Sequence, residues 1–510
     1  MSKKRLLGSL LCALTLASGT LVARDKEEEK KPALAPPKIM RAPMPAATMG
    51  ATPGGAQDID YARDRIKAGE VPHSDTFTPE GLFSQHDLPL PGQRPCQQVL
   101  CLTAAAARAE LIAQPEVRYL AQLGFSSNID PKTWHRSDLN LVAVVDKSGS
   151  MSGRPLDTVK ASLRRIALQM TARDQLSIVL YGDRSHVHLA PTPLAKRAHV
   201  LAAIDSIQSA GSTAMEEGLR VGFEVAQQSQ PRFKGVTRMM LFTDERPNVG
   251  ATDARSFMGM ARAGSRRGIG LTTIGVGTHF GAELATAISS VRGGNLFFFP
   301  DETAMNERFQ REFDTMVSEL AYDLKLVVKP AAGYELVGLY GVPGDLVKRT
   351  TGGGLELTIE TVFLSHDAGG IFFAFKPAGA GALPPGPGAI AEASLVYVDS
   401  ARRAQKDVLA FPLLASDKLP LGLARGLLLV DEITTLKQAS ILHGQQNQTE
   451  KAYRLVRALK KKLDDSRVSG LGKEKTLVSE LDATLTRLSG HQGEAARVSE
   501  RDPLNGLPRR

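Results

Sequence analysis

Residues 141–150 read Leu-Val-Ala-Val-Val-Asp-Lys-Ser-Gly-Ser, an apolar run that ends abruptly on a carboxylate followed by two alternating serines. A strand with one wet face would alternate polar and apolar residues, so an unbroken run rich in β-branched valine predicts a central strand buried on both faces. Asp146, Ser148 and Ser150 then fall at the carboxyl end of that strand. A turn there can aim one carboxylate and two hydroxyls into one cavity.

The surrounding sequence supplies partners for this strand. Ser177–Tyr181 and His186–Ala190 read as further strands, split by the turn Gly182-Asp183-Arg184, and Arg238–Thr243, Leu271–Gly277 and Asn295–Pro300 follow. Helical periods fill the intervals at Leu156–Thr171, Ala195–Ile207, Met215–Gln228, Asp253–Arg266 and Ala282–Val291. Such alternation predicts an α/β, doubly wound, mostly parallel sheet with helices on both faces, whose ligands bind at the carboxyl ends of the strands. Asp244 stands at one such end, directly after Met239–Thr243, and Thr213 sits in the loop Gly211-Ser212-Thr213 just before a helix. Carboxylate and hydroxyl oxygens from three separate loops suit a hard divalent cation.

D-x-S-x-S after an apolar strand, a threonine in a Gly-Ser-Thr loop and Thr-Asp after a later strand resemble the metal-ion-dependent adhesion site of von Willebrand factor type A (VWA) domains. The likeness covers roughly 137–320 and includes Asp174–Leu180 and Thr273–Gly277. It implies that Asp146, Ser148, Ser150, Thr213 and Asp244 hold a divalent cation, Mg²⁺ first with Mn²⁺ or Ca²⁺ as alternatives. It further implies that an Asp or Glu carboxylate of a protein partner completes the coordination. Glu245 departs from the family, which usually has glycine there, and places another carboxylate at the rim. The competing reading is a vestigial site in a structural or envelope-assembly protein, with Asp146 merely capping its turn.

The flanks extend the resemblance. Asp60-Tyr61-Ala62-Arg63 through Gly69-Glu70-Val71-Pro72 is similar to the lead-in of bacterial VWA proteins of the calcium-activated chloride-channel-like subgroup. No set of membrane spans lines a pore here, so the channel name is not taken literally. Glu110–Gln114, Arg118–Phe125, Asp323–Val328, Tyr334–Leu339, Leu355–Phe363, Ile371–Phe375 and Ala391–Tyr397 read as strands. Those before and after the module are expected to form one β-rich domain, with Ala378–Gly388 as a flexible loop within it. From Leu421 onward the pattern is helical, with leucines at 455, 459 and 463 and at 477, 481, 485 and 488. Helices packed on their own domain explain this stripe more simply than a partner-binding surface does. Lys460-Lys461-Lys462 could touch an acidic membrane surface, although such runs are more often solvated helix faces.

Three early cations, the apolar run Leu6–Ala17 and small residues from Ala17 to Ala23 form the pattern of an export signal, with an uncleaved membrane anchor as the alternative. The expected organisation is a signal peptide at 1–23, a disordered linker at 24–57 and an N-terminal flanking segment at 58–136, β-rich in its second half. The VWA module at 137–320, a β-rich domain at 321–416, a helical region at 417–490 and a flexible tail at 491–510 follow. Export places the protein in the periplasm, at the cell envelope or outside the cell, where a Cys96–Cys101 disulfide can persist. The C-x4-C spacing leaves that bond open as one of two states, and it makes a poor zinc site.

The 510-residue chain carries a net charge of +9, but residues 1–23 hold +3 of it and 451–510 hold +6, which leaves 24–450 neutral. That distribution offers no broad cationic surface for nucleic acid. Zinc-protease and phosphate-loop motifs are absent, Ser148 lacks a nucleophile elbow, and Gly275-Val276-Gly277 is followed by Gly281, one residue too late for a dinucleotide loop. His186 and His188 lie two apart on one predicted strand face with no ligand-spaced neighbours. No catalytic residue emerges, and a binding protein rather than an enzyme is expected.

Overall fold

The computed structural model describes residues 50–52, 59–90, 94–130, 132–212, 214–244, 251–276, 294–299, 302–342, 346–365, 368–379, 388–415 and 419–490. The export signal, most of the linker, Thr213, Glu245, Gly277 and Gly281, the helix read at Ala282–Val291, most of the Ala378–Gly388 loop and the 491–510 tail lie outside those residues.

The strands are β1 (Gly50–Thr52), β2 (Cys101–Arg108), β3 (Tyr119–Ser126), β4 (Leu139–Asp146), β5 (Gln175–Tyr181), β6 (His186–Pro193), β7 (Val236–Thr243), β8 (Ile269–Val276) and β9 (Gly294–Phe299). They continue as β10 (Glu319–Pro330), β11 (Tyr334–Tyr340), β12 (Val347–Arg349), β13 (Leu355–Ser365), β14 (Ile371–Pro377), β15 (Ala389–Asp399) and β16 (Ala404–Pro412). The α-helices are α1 (Asp60–Lys67), α2 (Pro79–Phe83), α3 (Arg154–Gln169), α4 (Arg197–Asp205), α5 (Met215–Ser229) and α6 (Ala251–Arg266). After them come α7 (Glu302–Met316), α8 (Leu421–Gly444), α9 (Thr449–Asp465) and α10 (Gly472–Leu488).

The module is a six-stranded sheet in the order β6-β5-β4-β7-β8-β9, parallel except for the edge strand β6. Strand β4 is central, and every residue in it is buried. Leu141, Ala143 and Val145 pack towards α3, α4 and α7, while Val142 and Val144 pack towards α5 and α6. The unbroken apolar run therefore serves two cores at once, as expected of a strand covered on both faces.

The remainder forms two antiparallel sheets, β1-β13-β10-β15-β16 with β12 on β13, and β11-β14-β3-β2. Strand β14, which follows the module in sequence, pairs with β3, which precedes it, so both flanks build one sandwich. Alternate residues of the second sheet face different partners. Ala104, Ala106, Phe373 and Phe375 meet the first sheet, and Leu120, Phe372 and Ala374 meet the helical layer of α1, α2, α8, α9 and α10. Ala105 and Ala107 pack on Leu423 of α8. Close approach of α8 is enforced by Gly426, where a Cβ would stand 2.1 Å from the Phe372 ring. Of the leucine stripes, Leu459 and Leu463 of α9 and Leu477, Leu481 and Leu485 of α10 are buried in this layer, while Leu455 is half-buried and Leu488 is exposed.

One reading needs correction. Glu110–Gln114 is not a strand; the strand lies earlier, at Cys101–Arg108, and Glu110–Gln114 is its connection to β3, with the Ile112 N–H bound to Asp431 Oδ1 at 2.7 Å. On α9, Lys460 pairs with Asp464 at 2.6 Å and Lys462 is bonded to Asp431. Within the stretch read as a tether, Gly50–Thr52 pairs with Phe363–Ser365 of β13. Cys96 and Cys101 are joined in a disulfide. Among the described residues no helix is long and apolar enough to cross a membrane.

Candidate metal centre

Parallel pairing sets the geometry. Asp146 aligns with Tyr181 of β5, and Val145 aligns with Phe242 of β7, so Thr243 falls beside Asp146 and Asp244 one residue beyond. Asp146 has no solvent exposure. Its Oδ1 accepts the Ser148 N–H at 2.8 Å, and its Oδ2 accepts the hydroxyls of Tyr181 and Thr243, both at 3.1 Å. Three donors on one carboxylate fix its orientation in a buried setting, where the ionised form needs such partners.

The next three polar groups form a chain. The Ser150 hydroxyl donates to Asp244 Oδ1 at 3.0 Å and lies 3.0 Å from the Ser148 hydroxyl, which leaves Ser148 as donor to Ser150. Ser148 is buried, Ser150 exposed and Asp244 half-buried, so Ser150 is the open point of the chain. Burial pushes the Asp244 carboxyl above its ordinary value; the Ser150 hydroxyl opposes this shift and the negative charge of Asp146 adds to it. The fully buried Asp146 and half-buried Asp244 carboxylates gathered in one site are what an incoming metal ion would relieve.

The loop that carries Thr213 is anchored on both sides of that residue. Gly149 N–H bonds Gly211 O at 2.9 Å, Ala210 N–H bonds Lys147 O at 2.6 Å, and Ala214 N–H bonds Gly182 O at 3.1 Å. The Ser212 N–H donates to Asp183 Oδ1 at 2.7 Å, and this bond, with the Ser212 hydroxyl and Lys147, holds the Asp183 carboxyl below the usual range. Gly211 is required here: its φ is +92°, and a Cβ would lie 2.6 Å from Asp183 Oδ2. The structure thus brings Asp146, Ser148, Ser150 and Asp244 together, with Thr213 outside the described residues.

The donor set fits a hard cation. It consists of carboxylates and hydroxyls, with no thiol or imidazole among the bonded groups. Among the described residues no three of His, Cys, Asp and Glu gather to hold a metal, so hydroxyls and water would have to complete any coordination at this site. His188 is engaged elsewhere, its Nε2 2.9 Å from Ala203 O and 3.0 Å from the Ser206 hydroxyl, and His186 is exposed. Sequence reasoning missed Tyr181, Thr243 and Asp183 as supports. Tyr181 and Thr243 end the two strands flanking β4, which was the available signal.

An open α/β sheet with carboxylates and hydroxyls at its carboxyl ends defines a ligand-binding module of the doubly wound class. Residues 140–311 match the von Willebrand factor type A domain, and this part of the chain has the VWA fold. Such domains generally mediate protein–protein interaction. Among similar proteins, the uncharacterized protein YfbK of Escherichia coli (strain K12) is 29% identical over 228 residues, which cover 44% of this chain and 39% of that protein. The uncharacterized protein sll0103 of Synechocystis sp. is 28% identical over 209 residues, covering 39% of this chain and 49% of that one. The chain therefore spans less than half the length of either relative. A solved von Willebrand factor type A structure from Catenulispora acidiphila aligns over 81% of this chain and 93% of its own, with a TM-score of 0.43 and 13% identity.

Proposed function

We propose that this is an exported VWA-domain protein that binds a protein partner through a divalent cation, Mg²⁺ first, held by Asp146, Ser148, Ser150, Thr213 and Asp244. The observation that carries the reading is the continuous chain Ser148–Ser150–Asp244 beside the buried, three-donor Asp146. Few carboxylates around the cation leave it electrophilic, and exposed Ser150 marks the side from which an Asp or Glu of the partner would arrive. The protein acts as a binding module rather than as an enzyme. The lead-in at 60–72 supports placing it with the exported chloride-channel-like VWA subgroup, in the periplasm, at the envelope or outside the cell.

The test is calorimetric titration of the full chain with Mg²⁺, Mn²⁺ and Ca²⁺, followed by capture of partners from envelope extracts with and without EDTA. Wild-type protein is expected to bind the ion and to lose its partner in EDTA; Ser150→Ala, at an exposed position, is expected to weaken both. A partner retained in EDTA and by Ser150→Ala would leave the rival reading, a structural protein using its β and helical surfaces.

A further inference from the structure

A second group of ionisable side chains lies far from the metal centre, inside the helical layer. Glu432 of α8 has no solvent exposure, and neither of its carboxylate oxygens has a hydrogen-bond partner among the described residues. Glu474, in the first turn of α10, is 1% exposed; its Oε1 lies 3.0 Å from Arg63 Nη2 of α1 and 3.1 Å from Nε2 of His86, just past α2. Its Oε2 is buried without a partner. Asp431, the neighbour of Glu432 on α8, is engaged by the Ile112 N–H and by Lys462. The groups facing Glu432 are thus Glu474 from α10, Arg63 from α1 and Asp431 on its own helix, with His86 reached through Glu474.

Arg63 and His86 are both bonded to Glu474, whereas neither carboxylate oxygen of Glu432 is paired among the described residues. With both carboxyls ionised, Glu432 would be a buried, unpaired charge, which proteins avoid by keeping the proton. We propose that Glu432 and Glu474 form a proton-operated clamp: with one proton between them they fasten α1 and α2 to the C-terminal helices, and loss of that proton loosens the junction. Burial and the neighbouring Glu474 push the Glu432 carboxyl well above its ordinary 4.5, with Asp431 adding to the shift and Arg63 opposing it. Burial also acts to raise Glu474, but His86 and Arg63 more than offset it and hold that carboxyl below 4.5.

The signs follow from linkage. An opened junction returns Glu432 to its ordinary value, so opening releases its proton and is favoured as pH rises above 4.5 towards the raised value in the clamp. The Glu474 contribution is present above 4.5 and is lost as pH falls through its depressed value. The clamp is therefore tightest near 4.5 and weakens on the alkaline side. Within the Glu432 window its opening constant rises by up to about tenfold per pH unit.

Hydrogen–deuterium exchange of the full chain, corrected for the intrinsic rate, tests this at acidic and alkaline pH. In wild-type protein, peptides covering 59–90 and 472–488 are expected to lose at least about tenfold in protection on the alkaline side, while 139–146 keeps its protection. Glu432→Gln, a permanently neutral isostere, is expected to hold the same peptides closed at both pH values. Equal pH dependence in wild type and Glu432→Gln, or a loss spread evenly over the chain, would overturn the clamp. An infrared titration of the wild type stands independently of whether the variant folds. It should show a protonated carboxylic C=O band that persists well above pH 4.5 and disappears where the fall in protection levels off, and its absence would refute the proposal.

Discussion

Replacing Asp146 separates its structural role from its proposed metal role, provided two substitutions are compared. Asp146→Ala removes the acceptor for the Ser148 N–H and the Tyr181 and Thr243 hydroxyls. A buried donor left without an acceptor costs about 1–3 kcal/mol. The two hydroxyls can rotate to other acceptors, and a buried carboxylate beside Asp244 is removed at the same time. A net cost of about 3 kcal/mol is the expectation, or roughly 6–12 °C in the Tm of a module of this size. Asp146→Asn keeps an oxygen for Ser148 and turns an NH2 towards hydroxyls that can accept it, so its metal-free stability should stay within about 1 kcal/mol of wild type. In saturating Mg²⁺, at a hundred times the Kd, wild type should gain about 2.7 kcal/mol and both variants almost nothing. Thermal unfolding with and without Mg²⁺ measures all of these. An Asn variant that gains as much from Mg²⁺ as wild type would refute the assignment of Asp146. A metal-free Ala variant as stable as wild type would refute the three-donor accounting.

Asp174 is fully buried, takes both guanidinium nitrogens of Arg136 at 2.9 and 2.6 Å, and accepts the Leu139 and Thr171 N–H groups. Asp174→Asn is expected to cost about 3–5 kcal/mol in chemical denaturation. Burial alone would raise its carboxyl, but Arg136 and the two backbone donors hold it below 3.8, so its contribution is present above that value and lost as acid is added. The variant should accordingly show a flatter acid limb. At Gly218 a Cβ would stand 2.6 Å from the Tyr181 ring. Gly218→Ala should displace the ring that holds Asp146, cost about 1–3 kcal/mol, and weaken Mg²⁺ binding by calorimetry with the circular dichroism unchanged.

The parts legible in the sequence were those in which one residue type answers one demand. Residues 141–145 had to be apolar on both faces because two helical layers cover β4, and the polar residues had to begin where the strand emerges. Strand β2 shows the opposite case. Its sequence Cys-Leu-Thr-Ala-Ala-Ala-Ala-Arg has the local preference of a helix, yet it pairs with β3 along its whole length. Alanine serves there because Ala104 and Ala106 face the opposing sheet while Ala105 and Ala107 lie under α8, so small size is needed on both sides. That requirement comes from a helix more than 300 residues later and leaves no local mark. The Glu432–Glu474 pair was hidden for the same reason, since its members come from α8 and α10 and their partners from α1 and the turn after α2.

The insertion point explains how such a module can meet a partner while fixed to a larger body. Both connections leave from the end of the sheet opposite the candidate metal centre. On the way in, Arg136 is bound to Asp174 and to Asp314 of α7, just before β4 begins at Leu139. On the way out, Glu319 at the start of β10 pairs at 2.8 Å with Arg238, a fully buried guanidinium near the start of β7 that also sits 4.8 Å from the centre of the Phe363 ring of the sandwich. Removing one partner of so buried a pair costs several kcal/mol, so the outgoing connection is fastened at Glu319. From Leu139 to Asp146 the strand advances about 23 Å at roughly 3.3 Å per residue. The body therefore grips the module at one end and leaves the carboxylates and hydroxyls at the other end, clear of both connections.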